Sequence, residues 1–203
     1  MDFFNQNIVF YLLAYLIGGI PFGYILAKIF ANVDIKQAGS GNIGATNVLR
    51  VVKEQDPILA KKLGAITLAL DALKGSIVVI IAMVLSVSDD VLWTIAVLSV
   101  LGHCFSPFLG FEGGKGVATA LGVLLVLLPI PTLIATAAWF ISAKVLKISS
   151  LSSLIALITL MIASYIITPK ISHAPLWIIA WIVLYKHIPN ITRIIKKEEV
   201  KVL

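Results

Sequence analysis

Apolar residues run along this chain in long blocks separated by short polar stretches that hold most of its charge. A membrane-crossing helix needs about 20 predominantly apolar residues to span about 30 Å of hydrocarbon. Blocks of that kind lie at 8–30, 63–87, 91–110, 117–128, 132–146, 150–168 and 174–185, which predicts seven helices, several of them short. Asp2, Asn5, Gln6 and Asn7 precede the first block without the basic region or small-residue cleavage site of a signal peptide, so that block is expected to stay as a helix. The stretch 117–143 could form one tilted helix of ~40 Å. Pro129 and Pro131 argue against it, because proline removes a backbone donor and clashes with the preceding turn. Two short or partly re-entrant helices joined by a Pro-Ile-Pro turn are expected instead.

Charge orients this arrangement. With seven spans and the N-terminus outside, every Lys and Arg except Lys74 and Lys170 falls on the inner side, and Asp89 and Asp90 fall outside, as the positive-inside rule requires. Merging the fourth and fifth spans would export Lys144 and Lys147 and flip the basic tail. Composition agrees: 203 residues, 60% hydrophobic, 13% charged, with a mean hydropathy of +1.04. So short a chain has too little interior to hide that much apolar surface from water. The expected fold is an all-α integral membrane protein, one domain over 1–203 without internal repeats, its C-terminus cytoplasmic. The net charge of +6 reads as basic loops facing an anionic leaflet rather than as a nucleic-acid footprint. The single Cys104 excludes an intramolecular disulfide framework.

Three polar segments stand out: 39–47 followed by Arg50, then Gly113, Gly114, Lys115 and Gly116, then 187–199. Even numbers of spans separate them, so all three can converge on the cytoplasmic face. The first contains G-x-G-x-x-G at Gly39, Gly41 and Gly44, but Asp34, Lys36 and Gln37 stand where a dinucleotide-binding motif needs a buried strand. What survives is the physics: glycines let backbone N–H groups approach an anion. Ser40, Asn42, Thr46 and Asn47 add neutral donors, and Arg50 offers a planar fork for phosphate. The plainer reading is a flexible loop leading into an interfacial helix.

The second segment is not a Walker A loop, because Leu109 and Gly116 stand where a glycine and a Ser or Thr are required. Three glycines around Lys115 still make a small cationic concavity; the plainer reading is a hairpin turn with a positive-inside lysine. In the third, His187, Asn190 and Arg193 recur every three residues along one helical face, with Glu199 available to pair with a cation or a substrate hydroxyl. An amphipathic solvated tail is the alternative.

Asp71 and Lys74 form an intramembrane pair at i, i+3, either structural or a pocket wall. His103 and Cys104 are adjacent and point in different directions, so a packing histidine that hydrogen-bonds a neighbour is expected. Three scattered His and one Cys make no metal constellation, and neither metal nor cofactor is expected.

Taken together, 39–47 with Arg50, Asp71-Ala72-Leu73-Lys74-Gly75, Gly102-His103-Cys104-Phe105 leading to Gly113-Gly114-Lys115-Gly116-Val117-Ala118-Thr119, and His187-x-x-Asn190-x-x-Arg193 with Glu199 resemble the bacterial acyl-phosphate:glycerol-3-phosphate acyltransferases, the PlsY family. The resemblance covers nearly the whole chain. It implies an inner-membrane enzyme that moves a fatty acyl group from acyl phosphate to the 1-hydroxyl of glycerol 3-phosphate, giving lysophosphatidate and phosphate, with the three segments as its cytoplasmic active site. It gives Gly113, Gly114, Lys115 and Gly116 the glycerol-3-phosphate site, and makes Ser40, Arg50, His187, Asn190 and Glu199 residues needed for activity or site integrity. Three departures stand out: Glu112 replaces the usual basic residue before the glycines, the link after Arg50 through Lys53, Glu54, Asp56 and Pro57 is longer, and Lys197 replaces the glycine of the usual Gly-x-Glu ending.

The chain supplies cations and donors generously and bases poorly. A substrate phosphate is therefore expected to take the hydroxyl proton while Ser40, Asn42, Thr46 and glycine amides hold the acyl phosphate and its developing oxyanion. Asn47, Arg50, His187, Asn190, Arg193 and Glu199 complete the candidate catalytic set; Gly41, Gly44, Asp71, Lys74 and His103 are candidate pocket or structural residues. Acyl phosphate, glycerol 3-phosphate and membrane lipid are the expected partners, with no nucleic acid, and a monomer or weak oligomer is expected. The alternative is a small transporter of a phosphorylated solute with Asp71 and Lys74 as a midplane gate.

Overall fold

Ten α-helices account for the apolar blocks and the segments between them in a computed structural model, which describes residues 2–201 and side chains from Asn7 onward. Asp2, Asn5 and Gln6, named above for their side chains, lie outside that side-chain description. Helix α1 (Asp2–Gly19) and α2 (Phe22–Ala31) form the first apolar span, broken where Pro21 has no N–H to donate. The carbonyls freed at this break are satisfied from elsewhere: Ser106 Oγ donates to Gly19 O at 2.6 Å and Lys74 Nζ to Ile20 O at 2.7 Å. Helix α3 (Ala45–Val52) follows the glycine-rich stretch and buries Val48, Val51 and Val52.

Helix α4 (Pro57–Val84) begins six residues before the predicted apolar block, because Asp56 caps it through Ile58 N (2.8 Å) and Leu59 N (3.0 Å), with Pro57 in its first turn. Then come α5 (Asp89–Cys104), α6 (Val117–Leu127), α7 (Pro129–Leu146), α8 (Ser149–Ile167), α9 (Ala174–Lys186) and α10 (Ile188–Ile195). The fourth and fifth predicted spans are separate helices, but no Pro-Ile-Pro turn joins them. The break falls on Leu128, and both prolines sit in the first turn of α7, where a missing N–H costs nothing. Thr132 Oγ1 donates to Leu124 O (3.0 Å) and Leu128 O (2.7 Å) and so closes the broken ladder.

Of the seven predicted spans, five helical stretches are long and apolar enough to cross a bilayer, and α9 with α10 makes a sixth across a 54° bend. Helix α6 has 11 residues, about 16 Å, and does not cross alone. Exposed side chains such as Leu12, Ile77, Val145, Ile166 and Trp181 give the spans an apolar exterior suited to lipid.

Helices pack where their backbones can meet. On α1 and α5 a Cβ added at Gly18 would overlap Ser99 O, and one at Gly102 would overlap Tyr15 O; on α6 one at Gly122 would overlap Ala72 O of α4. Lipid supplies no hydrophobic drive between helices, so such small-residue crossings set their association. Gly102→Val is therefore expected to cost more than about 3 kcal/mol, beyond ordinary overpacking because backbone must move. A thermal midpoint in detergent equal to that of the unsubstituted protein would refute this. A large core joins α1, α4, α5, α6 and α9 through residues such as Ala14, Val79, Ile95, Val123 and Ile179. A smaller one, built from Ala27, Ile35, Ile43, Val48, Val52 and Leu63, fastens the 32–44 loop and α3 onto α2 and α4.

Candidate functional site

The 39–47 loop is organised by one buried side chain. Asn47 Oδ1 accepts from Ser40 N at 2.9 Å, while its Nδ2 donates to Ile35 O (3.0 Å) and Ala38 O (3.1 Å). Gly39 passes over this amide in the left-handed region (φ 62°), where a Cβ would overlap Asn47 Oδ1, so only glycine fits. Asn42 Oδ1 accepts from Gly44 N at 2.9 Å, which turns the chain into α3. The N-terminus of α3, Ala45 and Thr46, borders a hollow, and an anion is favoured there by the helix dipole. Arg50 reaches the same hollow, and its buried Nε has no hydrogen-bond partner among the described residues. A buried, unpaired guanidinium N–H is costly unless an anion fills the place.

The Gly113–Gly116 turn lies on the end of α5, with Gly114 N donating to His103 O at 3.0 Å. Lys115 projects beside Arg50, Arg193 and Glu199. Burial pulls its ammonium down to about 8; the two arginines reinforce that and Glu199 opposes it. Lys36 Nζ meets Glu112 Oε2 at 2.9 Å, so the residue that departs from the usual basic one ties the second loop to the first.

Glu199 organises the third segment. Its Oε1 accepts from Asn190 Nδ2 (2.6 Å) and Ser150 Oγ (2.7 Å), and its Oε2 pairs with Arg193 Nε (2.6 Å). Partial burial pushes this carboxyl up, but these hydrogen bonds and the Arg193 charge outweigh it and hold the group below its ordinary range. His187 occupies the bend between α9 and α10, where it caps the start of the helix that carries Asn190 and Arg193. Its Nδ1 lies 2.8 Å from Val183 O, which makes that nitrogen the donor and leaves Nε2 of the neutral ring as an acceptor.

The three segments meet around two adjoining hollows. One, about 240 Å³, has a polar end that includes Ser40, Thr46, Arg50, Lys115 and His187; it continues between α6, α7 and α8 along apolar walls that include Leu124, Trp139, Leu157 and Leu160. The other, about 360 Å³, is walled by Gly41, Gly113, Lys186 and Arg193 among others. Ser40, Asn42, Lys115 and Asn190 line both. Gly44, Asn47, Asp71, His103, Gly116 and Glu199 border the first; Gly114 and Lys74 border neither. Lys74 is held by Asp71 Oδ1 at 2.7 Å, so Asp71 is both pair member and wall while Lys74 is structural. His103 does not form the expected hydrogen bond to a neighbour: its Nδ1 stops 3.7 Å from Asp71 Oδ1.

Sequence reasoning passed over the first turns of α8. Ser150 holds Glu199, Ser149 Oγ meets Thr46 Oγ1 at 3.1 Å, and Ser153 Oγ accepts from Trp139 Nε1 at 3.2 Å. Four serines at 149, 150, 152 and 153, opening an otherwise apolar block, were the available signal. Lys186, whose Nζ lies 5.0 Å from the Phe105 ring centroid, was counted only as an inner-face cation.

This arrangement has close counterparts. Residues 8–197 match the family model described as glycerol-3-phosphate acyltransferase. Proteins named glycerol-3-phosphate acyltransferase from Sulfurimonas denitrificans and from a Nitratiruptor species are 60% and 61% identical, over 100% of this chain and 100% and 99% of theirs. The crystal structure of PlsY (YgiH), an integral membrane glycerol 3-phosphate acyltransferase, superposes in its glycerol 3-phosphate form with a TM-score of 0.86 at 34% identity, over 97% of this chain and 95% of that one. Its lysophosphatidic acid form superposes with a TM-score of 0.80 over the same shares.

Proposed function

The chain belongs to the glycerol-3-phosphate acyltransferase family, and from that premise we propose that it transfers a fatty acyl group from acyl phosphate to the 1-hydroxyl of glycerol 3-phosphate, releasing lysophosphatidate and phosphate. The observation that carries this reading is the pair of hollows sharing Ser40, Asn42, Lys115 and Asn190: one runs on into an apolar channel suited to an acyl chain, the other is polar and cationic and suited to glycerol 3-phosphate. The anhydride carbonyl then lies at the shared wall. The hydroxyl oxygen attacks that carbonyl, the bond from the carbonyl carbon to the phosphate oxygen breaks, and the hydroxyl proton passes to a substrate phosphate oxygen. Arg50 and Lys115 offset the phosphate charges, and Ser40, Asn42, Thr46 and the α3 N-terminus face the oxyanion that develops. Positioning supplies much of the acceleration, because the donor is already a reactive anhydride.

The chain acts as one membrane-embedded domain in the bacterial inner membrane, N-terminus outside and site cytoplasmic, as a monomer or weak oligomer. Lys74, bound to Asp71 and Ile20 O and bordering neither hollow, is no free gate, which counts against the transporter alternative. Purified protein given acyl phosphate and glycerol 3-phosphate is expected to form lysophosphatidate, with acyl-CoA as control donor giving none; absence of product with acyl phosphate refutes the reading. His187→Ala is expected to weaken glycerol-3-phosphate binding more than turnover. A collapse of turnover at unchanged affinity would make His187 the base and remove the substrate-assisted step.

The Lys115 ammonium sets a pH dependence. It is charged below about 8, so glycerol-3-phosphate affinity is retained below that value and falls as pH rises through it. Saturation curves should show KM rising by up to about tenfold per pH unit above the transition, while Lys115→Arg, which keeps its charge, flattens the rise. A KM constant from about pH 7 to about pH 9.5, on either side of that transition, would contradict it.

A further inference from the structure

We infer that the buried Asp71 and His103 form a positioning pair that sets the height of the Gly113–Gly116 turn, and through it the place of the Lys115 ammonium. The inference rests on the assignment of that turn to glycerol 3-phosphate. Asp71, Lys74 and His103 are each about 3% exposed or less, so three ionisable groups are placed in the helix interior although only Asp71 and His103 reach a hollow. Their contacts follow a line. Ile20 O, freed by the Pro21 break, takes Lys74 Nζ at 2.7 Å; Lys74 Nζ meets Asp71 Oδ1 at 2.7 Å; that same oxygen lies 3.7 Å from His103 Nδ1. The line ends at the turn, where His103 O takes Gly114 N at 3.0 Å and a Cβ added at Gly114 would overlap the far side of the imidazole, at Nε2. Gly114 therefore passes against the Nε2 edge of the ring, one residue before Lys115. Thr119 Oγ1 donates to Asp71 O at 2.9 Å and fastens α6, which begins directly after the turn, to the same residue.

Ionisable groups are expensive at this depth, and a leucine at 103 would fill the space more cheaply if packing were all that was needed. What an imidazole adds is a stiff planar group wedged between the carboxylate and the turn, its Nδ1 3.7 Å from Asp71 Oδ1 and its Nε2 against Gly114. The turn above it has only glycines on either side of Lys115, so it has no side chains of its own with which to hold a height. His103 thus acts through Lys115 rather than on substrate.

The test measures KM for glycerol 3-phosphate and for acyl phosphate separately in the full-length protein for H103L, H103Q, G114A and K115A. H103L and G114A are expected to raise KM for glycerol 3-phosphate about tenfold or more, with KM for acyl phosphate changed less than about twofold. H103Q, which keeps a polar planar group opposite Asp71, should restore most of the loss. If H103L does not fold, G114A decides, since it displaces the turn from the opposite side and removes no polar group. Unchanged glycerol-3-phosphate KM in G114A, an equal rise in both KM values, a loss of turnover alone in H103L, or an H103Q as impaired as H103L each overturns the pairing. K115A separates the two levels: a normal glycerol-3-phosphate KM in K115A faults the site assignment, whereas a raised KM there with a normal one in G114A faults only the positioning pair.

Discussion

Arg50→Ala and Lys115→Ala should each leave a folded protein whose turnover has fallen by about 100-fold or more, the range seen when one preorganised donor is removed from a developing charge. The folding half of this expectation rests on what these groups do not do. Arg50 Nε makes no hydrogen bond among the described residues although it is buried, so truncation removes an uncompensated desolvation cost rather than a contact. Lys115 is held near its charging threshold, at about 8, by burial and by the neighbouring arginines, so its removal also relieves repulsion among like charges. What both variants lose is a cation at the wall of the hollow proposed above to take phosphate. Arg50→Lys is the informative intermediate, because a point charge remains and the planar fork does not. Initial rates on monodisperse protein, with circular dichroism to verify helix content, are the measurement; near-normal rates in both alanine variants would remove the electrostatic part of the mechanism.

Asn47→Asp should be at least as damaging, although it changes one NH₂ for one oxygen. Asn47 Nδ2 donates to Ile35 O and Ala38 O, and both carbonyls would then face an oxygen instead of a donor. Losing two buried hydrogen bonds and facing two carbonyls with a buried charge costs on the order of 4 kcal/mol locally. Asn47→Ala leaves the carbonyls unpaired but adds no repulsion, and should be the milder substitution. Because Ser40 N is held through this amide's Oδ1, the loop that presents Ser40 and Asn42 loosens in both cases. The expected result is activity below about one-hundredth of normal for the aspartate, with the glycerol-3-phosphate and acyl-phosphate KM values both raised; an aspartate variant more active than the alanine variant would contradict the orientation assigned to the amide.

Much of the membrane architecture could be read directly, because an apolar run of span length has few fates other than lipid. The chemistry of the loops could be read as well, since glycines, amides and an arginine in a greasy chain have no packing reason to cluster. What resisted reading depends on tertiary partners. Pro129 and Pro131 marked an interruption, but its position at Leu128 follows from Thr132 capping two carbonyls, a contact no spacing announces. The bend that puts His187 at the junction of α9 and α10 is likewise a tertiary feature. The serines of α8 looked like part of a span until Glu199 folded back onto Ser150 from 49 residues away. Lys197 was a departure from the usual glycine, and the reason for that glycine is visible in its backbone: Lys197 lies at φ 60°, so the turn returning Glu199 to the site is kept by a residue strained in that conformation. Lys197→Gly is expected to gain about 1 kcal/mol in stability with activity unchanged, read from the thermal midpoint; a lowered midpoint would contradict this.

The glycine crossings have a consequence for how the molecule divides its labour. Where α4 meets α6 and α1 meets α5, backbone touches backbone and no layer of side chains remains that could yield. That frame carries Asp71, His103 and the approach to Lys115, whose tolerances are those of charge placement. The apolar hollow beside α7 and α8, by contrast, is lined by larger and rotatable groups such as Trp139, Phe140 and Leu157. Rotamer changes there can reshape the hollow without moving Arg50 or Lys115. Rigidity and give are thus assigned to different parts of the fold: backbone crossings behind the charged groups, rotatable side chains along the apolar hollow.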